Sequence, residues 1–270
     1  MGTSASIVGE FKDEDLIACR DAGVKCIELT LFGGGLDASE SASLETLAER
    51  ASRIQEHGLR LWSIHLPFGH RWDIATADAD LHKTVLEKME RLLELGSKWG
   101  ASVAVIHPSA EPIADDERRG FLKRSKSSLR HLGQVARQHG LRLAVECLPR
   151  TRLANTSDEM LKILAGLDDV GVCFDANHPL QERPEEFVAK LGERIITVHM
   201  SDYDAVDERH WLPGEGVIDW SAVIRELAGA GYGGPFMFEV GRKKGEHIRT
   251  PAELQACWQE LLAAYLSQES

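Results

Sequence analysis

Seven short apolar runs of the sequence each end beside a side chain that can bind a metal ion. These residues are Glu28, His65, His107, Glu146, Asp175, His199 and Glu239. Carboxylates mixed with imidazoles are ligands that Mn²⁺, Co²⁺, Zn²⁺ and Fe²⁺ accept in proteins. One such residue at a strand end is usually a cap or a surface group, but several buried together need a cation to offset their charges. The pattern therefore predicts a divalent metal centre wherever the fold brings these positions together.

The elements that must position these residues alternate regularly along the chain. Short runs rich in Val, Ile, Leu and Phe suit strands buried on both faces, and the amphipathic segments between them suit helices. The predicted strands are Lys25–Leu29, Arg60–Leu66, Ser102–Pro108, Arg142–Glu146, Val170–Asp175, Ile195–His199 and Pro235–Glu239, with Thr3–Val8 as a weaker first strand. The predicted helices are Asp13–Ala22, Leu44–His57, Ala77–Trp99, Asp115–His139, Asp158–Leu167, Pro184–Leu191, Trp220–Gly231 and Pro251–Ser267.

This density of strand–helix units in 270 residues favours an α/β chain folded as a closed (β/α)8 TIM barrel. No GxGxxG follows the first strand, which argues against an open dinucleotide-binding sheet. No linker interrupts the alternation, so a single domain over residues 1–270 is predicted. In such a barrel all strands open at their carboxyl ends on one face, where the metal-competent residues should converge.

Composition and charge exclude several classes of protein. The chain is 43% hydrophobic and 27% charged, which is an ordinary globular profile. Its net charge of −12, without clustered basic residues, argues against nucleic-acid and membrane partners. Five widely spaced cysteines without a CxxC motif fit a reducing compartment. Because the first residues do not read as a signal peptide, we expect a cytoplasmic location.

Five motifs allow a more specific interpretation. They are LAVECLP (143–149), VGVCFDANH (170–178), RIITVHMSD (194–202), HWLPGEGVIDW (210–220) and FMFEV (236–240). Together they resemble the xylose isomerase-like TIM barrel superfamily, and within it the sugar phosphate isomerase/epimerase group related to ketose 3-epimerases, hydroxypyruvate isomerase and endonuclease IV. The resemblance extends over nearly the whole chain, from AGVKCIEL (22–29) onwards. It implies a metal-dependent isomerase or epimerase of carbohydrate metabolism.

Carried over position by position, the resemblance implies one divalent ion held by Glu146, Asp175, His199 and Glu239. Mn²⁺ (manganese) is the expected ion, with Co²⁺, Zn²⁺, Fe²⁺ and Mg²⁺ as alternatives. The same resemblance makes Glu146 and Glu239 the acid/base pair on opposite faces of the bound sugar. A metal that polarises a carbonyl stabilises the enediolate formed on proton loss, while the carboxylates remove and return the proton. The sequence leaves open whether the outcome is isomerisation or epimerisation.

Six further residues are expected to bind the substrate: His178, His65, His107, His210, Arg152 and Trp211. His178 resembles the family's substrate-binding histidine, and His210 could instead bind a second metal. Phe68, Trp72 and Trp211 are candidate stacking surfaces for a sugar face.

Two positions depart from the family's ketose 3-epimerases. Those enzymes carry a Glu six residues beyond the strand-five glutamate and an Arg six residues beyond the strand-seven histidine. Here the two places hold Arg152 and Ala205. The departure argues against a simple free-ketose 3-epimerase, and Arg152 favours an acidic or phosphorylated substrate.

Two other activities fit the same residues. Proton abstraction followed by loss of a β-substituent gives a lyase or dehydratase acting on a keto-sugar, an inosose or a keto-glycoside. An endonuclease IV-type nuclease with three zinc ions would use His65, His107, Glu146, Asp175, His178, His199, His210 and Glu239, with Glu208 in place of its loop Asp. The net charge of −12 disfavours a DNA substrate. We expect a small sugar or polyol-derived substrate and, by analogy, a homodimer or homotetramer.

Overall fold

Eight short parallel strands form a nearly closed barrel in the computed structural model, which describes residues Met1–Gln268. The strands are β1 (Gly2–Ser4), β2 (Cys26–Thr30), β3 (Arg60–His65), β4 (Val103–Ile106), β5 (Arg142–Glu146), β6 (Val170–Asp175), β7 (Ile195–His199) and β8 (Met237–Phe238). Their order is β8-β1-β2-β3-β4-β5-β6-β7. Beyond the end of β7, the Met200 N–H donates to the carbonyl of Met237 at 2.8 Å and joins β7 to β8. The predicted (β/α)8 architecture is confirmed.

Helices connect the strands and cover the outside of the barrel. They are α1 (Ala5–Val8), α2 (Asp13–Asp21), α3 (Ser41–Glu56), α4 (Ala79–Lys98), α5 (Asp115–Gln138), α6 (Ser157–Leu164), α7 (Pro184–Leu191), α8 (Trp220–Gly229) and α9 (Pro251–Gln268), with 3-10 turns at His70–Trp72 and Gly192–Arg194. Several begin at acidic or hydroxyl caps, such as Asp78, whose carboxylate accepts the N–H groups of Asp80 and Leu81 at 3.0 Å. No described helix has the length and apolar character needed to cross a bilayer.

The predicted first strand, Thr3–Val8, is wrong in its bounds. The strand occupies Gly2–Ser4, and the chain then turns into α1, which buries Ile7 and Val8. The apolar pair therefore packs as part of a helix rather than as a strand. Gly2 fits between two neighbours, because a Cβ there would lie 2.8 Å from the Cys26 sulfur and 2.9 Å from Met237 Cε.

The other differences in bounds lie at the ends of elements. The predicted strand Pro235–Glu239 is reduced to Met237–Phe238, and His107 lies just beyond β4. Helix α6 ends at Leu164, three residues before the predicted end. Two hairpins absent from the prediction follow β2 and β8, formed by Phe32–Gly33 with Leu36–Asp37 and by Lys243–Lys244 with His247–Ile248.

Candidate active site

A cavity of about 420 Å³ opens at the carboxyl ends of the barrel strands. It is lined by Ser4, Ser6, Thr30, Phe32, His65, Phe68, His107, Glu146, Arg152, His178, Glu208, His210, Glu239, Val240 and Gly241. Seven of the ten residues that the sequence predicts for the site are among them. Asp175 and His199 are completely buried and lie next to this lining. Trp211 is not a lining residue, and its backbone pairs instead with that of Asp202.

The inner cluster consists of Glu146, Asp175, His199 and Glu239. Each contributes a ligand atom within 4.8 Å of the others. His199 Nδ1 lies 3.1 Å from Glu146 Oε1 and 3.2 Å from Glu239 Oε2. Asp175 Oδ2 is buried and has no hydrogen-bond partner among residues 1–268. Three carboxylates around one imidazole, with an orphaned oxygen among them, fit a divalent cation.

The electrostatics of the inner cluster differ from one carboxylate to the next. Burial raises the pKa of Asp175 to about 7, and the nearby charge of Glu239 adds to this effect. Burial also opposes ionisation of Glu146, but contacts with His107 and His199 hold the pKa of Glu146 well below its usual value. The pKa of Glu239 is likewise lowered against the effect of burial, mainly by His199. Two glutamates are therefore ionised beside an aspartic acid that is reluctant to ionise.

Glu28 on β2 fixes the orientation of His199 on β7. The Nε2 atom of His199 lies 3.1 Å from Glu28 Oε2, which also accepts the Ser63 hydroxyl at 2.7 Å. Because Nε2 donates to this carboxylate, Nδ1 faces the inner cluster. A carboxylate behind an imidazole is a common way to orient a metal ligand and to increase its basicity.

Three other histidines direct Nε2, rather than Nδ1, towards the cavity. The Nδ1 atoms of His65, His178 and His210 donate to the backbone carbonyls of Leu66, Cys147 and Glu239 at 2.9, 2.8 and 3.2 Å. Their Nε2 atoms are thereby directed away from the backbone. His65 Nε2 lies 3.1 Å from Glu146 Oε2, and His107 Nε2 lies 2.9 Å from the same oxygen.

The rim cluster consists of His178, Glu208 and His210, whose ligand atoms also lie within 4.8 Å of one another. Its only carboxylate is already paired, because Glu208 contacts His178 Nε2 at 3.1 Å and Arg150 Nη2 at 2.6 Å. Partial burial opposes ionisation of Glu208, but these two partners lower its pKa to about 2. An arginine thus pairs with the carboxylate of the rim cluster, whereas within residues 1–268 the carboxylates of the inner cluster pair only with imidazoles.

Two buried polar side chains shape the loop that carries Glu208 and His210. The Asp202 carboxylate accepts the Gly214 N–H at 2.8 Å and the Trp220 indole N–H at 2.9 Å. A side chain at Gly216 would collide with this carboxylate and with the carbonyl of Tyr203. Asn177 Oδ1 accepts the Arg209 N–H at 2.8 Å beside His210, whose backbone is left-handed with φ 50°. The motif HWLPGEGVIDW therefore folds around Asp202.

Aromatic rings form the wall of the cavity beside β3 and β4. The Phe68 ring stacks on that of His107, with centroids 4.1 Å apart and planes 13° from parallel. Phe32, from the hairpin after β2, meets the edge of Phe68 at 4.5 Å. Trp72 does not line the cavity and instead packs under the Lys88 ammonium at 5.1 Å.

Sequence reasoning did not assign several residues that shape this site. Glu28 is one of the predicted strand-end carboxylates, but its pairing with His199 depends on which side chains meet inside the barrel. Asn177 and Asp202 lie within recognised motifs and act on backbone groups of the His210 loop. Phe32 had only one signal, its place directly after the second strand and before three glycines.

The comparisons with known proteins agree with this architecture. The family model for the xylose isomerase-like TIM barrel matches residues 16–261. A D-tagatose 3-epimerase-like protein superposes with a TM-score of 0.81 at 22% identity, and the match covers 100% of both chains. The 3-keto-D-glucoside 4-epimerase of E. coli superposes with a TM-score of 0.73 at 21% identity over 97% of this chain and 98% of that one. At these identities the structural likeness shows the fold.

The curated relatives span several chemistries. A ketose 3-epimerase of Arthrobacter globiformis is 25% identical over 82% of this chain and 74% of its own length. The 3-dehydroshikimate dehydratase of Pseudomonas putida is 25% identical over 57% of this chain and 26% of its own length. A probable endonuclease 4 of Thermoplasma acidophilum is 25% identical over 62% of this chain. The chain spans 63% of the length of that endonuclease. An uncharacterized protein of Methanocaldococcus jannaschii is 29% identical to this chain over 65% of its residues, and the chain spans 63% of the length of that protein.

Proposed function

The chain belongs to the xylose isomerase-like TIM barrel family, and on that premise we propose that it is a divalent-metal-dependent sugar isomerase or epimerase. The observation that carries the proposal is the inner cluster, in which two ionised glutamates flank a buried aspartate and an oriented imidazole. In the described part of the chain, none of the three carboxylates of this cluster pairs with an arginine or lysine. The cluster therefore has both the charge to hold a cation and the bases to move a proton.

Glu146, Asp175, His199 and Glu239 would hold the ion, with Mn²⁺ as our first choice for a mixed oxygen and nitrogen ligand set. When bound, a divalent cation supplies Lewis-acid polarisation of a substrate carbonyl and its neighbouring hydroxyl. Glu28 keeps His199 Nδ1 directed at this position through its bond to Nε2. The four ligands come from β5, β6, β7 and the end of β8, so the barrel itself fixes their spacing.

Proton transfer is the task of the two glutamates. One carboxylate removes the proton from the carbon next to the carbonyl, which gives an enediolate, and a second group returns a proton. Glu146 and Glu239 can fill these roles because their lowered pKa values keep both carboxylates unprotonated at neutral pH. If each serves one face of the substrate, a centre is inverted and the enzyme is an epimerase. If one glutamate serves both carbons from one face, the product is the aldose–ketose isomer.

A lyase or dehydratase is the second candidate, and His65 favours it. Burial opposes protonation of His65, yet the hydrogen bond and charge of Glu146 raise the pKa of this imidazole to about 9. A charged imidazole at the cavity wall can protonate a leaving hydroxyl or aglycone after a glutamate has removed the α-proton. The similarity to a 3-dehydroshikimate dehydratase points the same way.

A zinc nuclease is a weaker candidate. The rim cluster matches the histidine positions that such an enzyme would need, and a probable endonuclease 4 is among the relatives. However, Arg150 already neutralises Glu208, and the chain carries a net charge of −12. A phosphodiester backbone would be repelled by that charge unless basic loops offset it.

The experiment that tests the proposal is incubation of the metal-loaded protein with ketoses, keto-acids and keto-glycosides in D₂O. An isomerase or epimerase incorporates deuterium next to the carbonyl and conserves mass apart from that exchange. A lyase releases water or an aglycone. If no exchange or elimination depends on Glu146, the proposal is wrong. We further propose a small sugar or polyol-derived substrate, a cytoplasmic location consistent with five free and buried cysteines, and a homodimer or homotetramer.

A further inference from the structure

We propose that the substrate carries an anionic group, a carboxylate or a phosphate, which the guanidinium of Arg152 binds inside the cavity. This inference rests on the proposed function and names the substrate class of that same site. Arg152 would make the site selective for charged over neutral sugars, while the inner cluster carries out the proton transfers.

The first observation is that Arg152 is largely buried and yet has open donors. Its side chain lines the cavity and is 17% exposed. A guanidinium has five N–H groups, but within residues 1–268 its one polar partner is Glu111, whose Oε1 lies 2.7 Å from Nη2. Nε and Nη1 therefore remain to be satisfied. A carboxylate or phosphate in the cavity can accept from these donors.

The second observation is that Glu111 is shared between Arg152 and Arg150. Arg150 Nη2 lies 3.0 Å from Glu111 Oε1, and Arg150 Nε lies 3.4 Å from Oε2. Arg150 thus pairs with both oxygens of this carboxylate. Glu111 therefore contacts Arg152 through Nη2 alone and leaves the other donors of this guanidinium to a ligand.

The third observation is that the loop is built to hold Arg152 in place. Arg118 donates to the carbonyls of Thr151 and Arg152 at 2.8 and 2.9 Å, and its guanidinium also pairs with Glu159 at 2.7 Å. On the other side of Arg152, the Leu153 N–H donates to the Ser109 hydroxyl at 3.0 Å. The backbone is thus fixed before and after the residue. A preorganised guanidinium loses little entropy when it binds a planar or tetrahedral anion.

The charge of the cavity lining differs between its two sides. Arg152 follows β5, which lies opposite β1 in the ring of eight strands. Towards β8, β1 and β2 the lining includes the uncharged residues Ser6, Phe32 and Val240, while Glu239 at the end of β8 belongs to the inner cluster. An anionic substrate would therefore place its charged end at Arg152 and its neutral carbons towards Phe32, with the reacting carbons over the inner cluster between them.

The test measures binding rather than turnover, so that it is independent of which isomer is produced. Calorimetric titrations of the metal-loaded protein would use D-fructose as the neutral probe, D-fructose 6-phosphate as the phosphate probe and 5-keto-D-gluconate as the carboxylate probe. We expect at least one anionic probe to bind about 10- to 100-fold more tightly than fructose, as a charge-assisted pair would give. The anionic probe that binds more tightly shows whether the charged group of the substrate is a phosphate or a carboxylate.

Variants separate this role from a general effect of charge. Arg152→Met should weaken binding of the preferred anionic probe about 10- to 100-fold and so remove the preference, and Arg152→Lys should restore part of it. Arg137→Met is the matched control, because Arg137 is an exposed cation near the opposite end of the barrel, paired with Asp169. It should keep the full preference. Circular dichroism melting of each variant establishes that the fold is retained.

The inference is overturned if wild type binds neither anionic probe more tightly than fructose, or if Arg152→Met keeps the wild-type preference. Failure of the proposed function looks different. In that case deuterium exchange in D₂O would be absent or unchanged by Glu146→Gln, whatever the binding preference. An anion preference that survives in Glu146→Gln but is lost in Arg152→Met would support the role of Arg152 on its own.

Discussion

The inner and rim clusters contain similar residues, but their carboxylates differ in their charged partners and in the direction of their pKa shifts. Asp175 in the inner cluster is buried, its Oδ2 has no hydrogen-bond partner among residues 1–268, and its pKa is raised to about 7. Glu208 in the rim cluster is half-buried, is paired with Arg150 and His178, and has a pKa lowered to about 2. The difference teaches that a carboxylate already paired with an arginine has little need of a metal ion, whereas buried carboxylates that contact only imidazoles favour one.

The largest expected effect comes from the two glutamates of the inner cluster. Glu146→Gln and Glu239→Gln should each lower turnover by about 10³-fold or more, since the amide can neither accept nor return the proton. Deuterium exchange at a fixed metal content is the measurement. Glu260→Gln on the exposed face of α9 is the control and should keep the wild-type rate. Near-full activity in either inner variant would refute the acid/base assignment.

The next largest expected effect is the dependence of metal affinity on pH. Because the pKa of Asp175 is about 7 without a cation, an ion that binds there must displace a proton at lower pH. Affinity for Mn²⁺ should fall by up to about tenfold for each pH unit below 7 and change less above it. Calorimetry in two buffers of different ionisation enthalpy measures the released proton. Affinity that is the same at about pH 5.5 and pH 8 would contradict the contrast between Asp175 and Glu208.

A smaller effect is expected from the scaffold of the rim. Asp202→Asn places an amide N–H against the backbone or indole donors that Asp202 now accepts, so the free energy of unfolding should fall by about 2 kcal/mol. Denaturant unfolding measures this change. The control Asp219→Asn should cost much less, because Asp219 is an exposed N-cap of α8 and Asn caps helices equally well. Equal losses in the two variants would show that Asp202 does not hold the loop.

The smallest expected effect concerns the aromatic wall. Phe68→Leu removes the ring stacked on His107 and should raise KM about threefold with little change in kcat, since both rings lie beside the inner cluster. Steady-state kinetics on whichever probe is turned over would show it. Phe121→Leu, which alters a ring on α5 that packs with Arg124, is expected to leave KM unchanged. A loss confined to kcat would instead tie Phe68 to the proton transfers through His107.

The barrel and the inner cluster could be predicted because both follow from local patterns. Glu146, Asp175 and His199 each close a buried parallel strand, and parallel strands in a barrel end on one face. The first strand was harder to delimit, since Ile7 and Val8 have the apolar character of a strand but pack in α1. Hydrophobicity alone does not separate a short buried strand from a short buried helix.

The pairings between side chains could not be predicted. Glu28 and His199 are 171 residues apart, and they meet only because β2 and β7 both direct a side chain into the interior of the barrel. The pairing of Arg150 with Glu208 depends on a left-handed backbone at Arg150, with φ 58°, which its sequence does not indicate. These contacts decide which cluster is already neutralised, and they exist only in the folded chain.

Elemental analysis of the purified protein tests the central claim most directly, with Mn, Fe, Co and Zn counted together. The account predicts about one ion per chain, lost in Asp175→Asn and retained in the rim variant His210→Asn. A content of roughly two to three zinc ions that falls in His210→Asn would contradict it, because the rim would then bind metal despite Arg150. No metal after reloading with Mn²⁺ would contradict it equally.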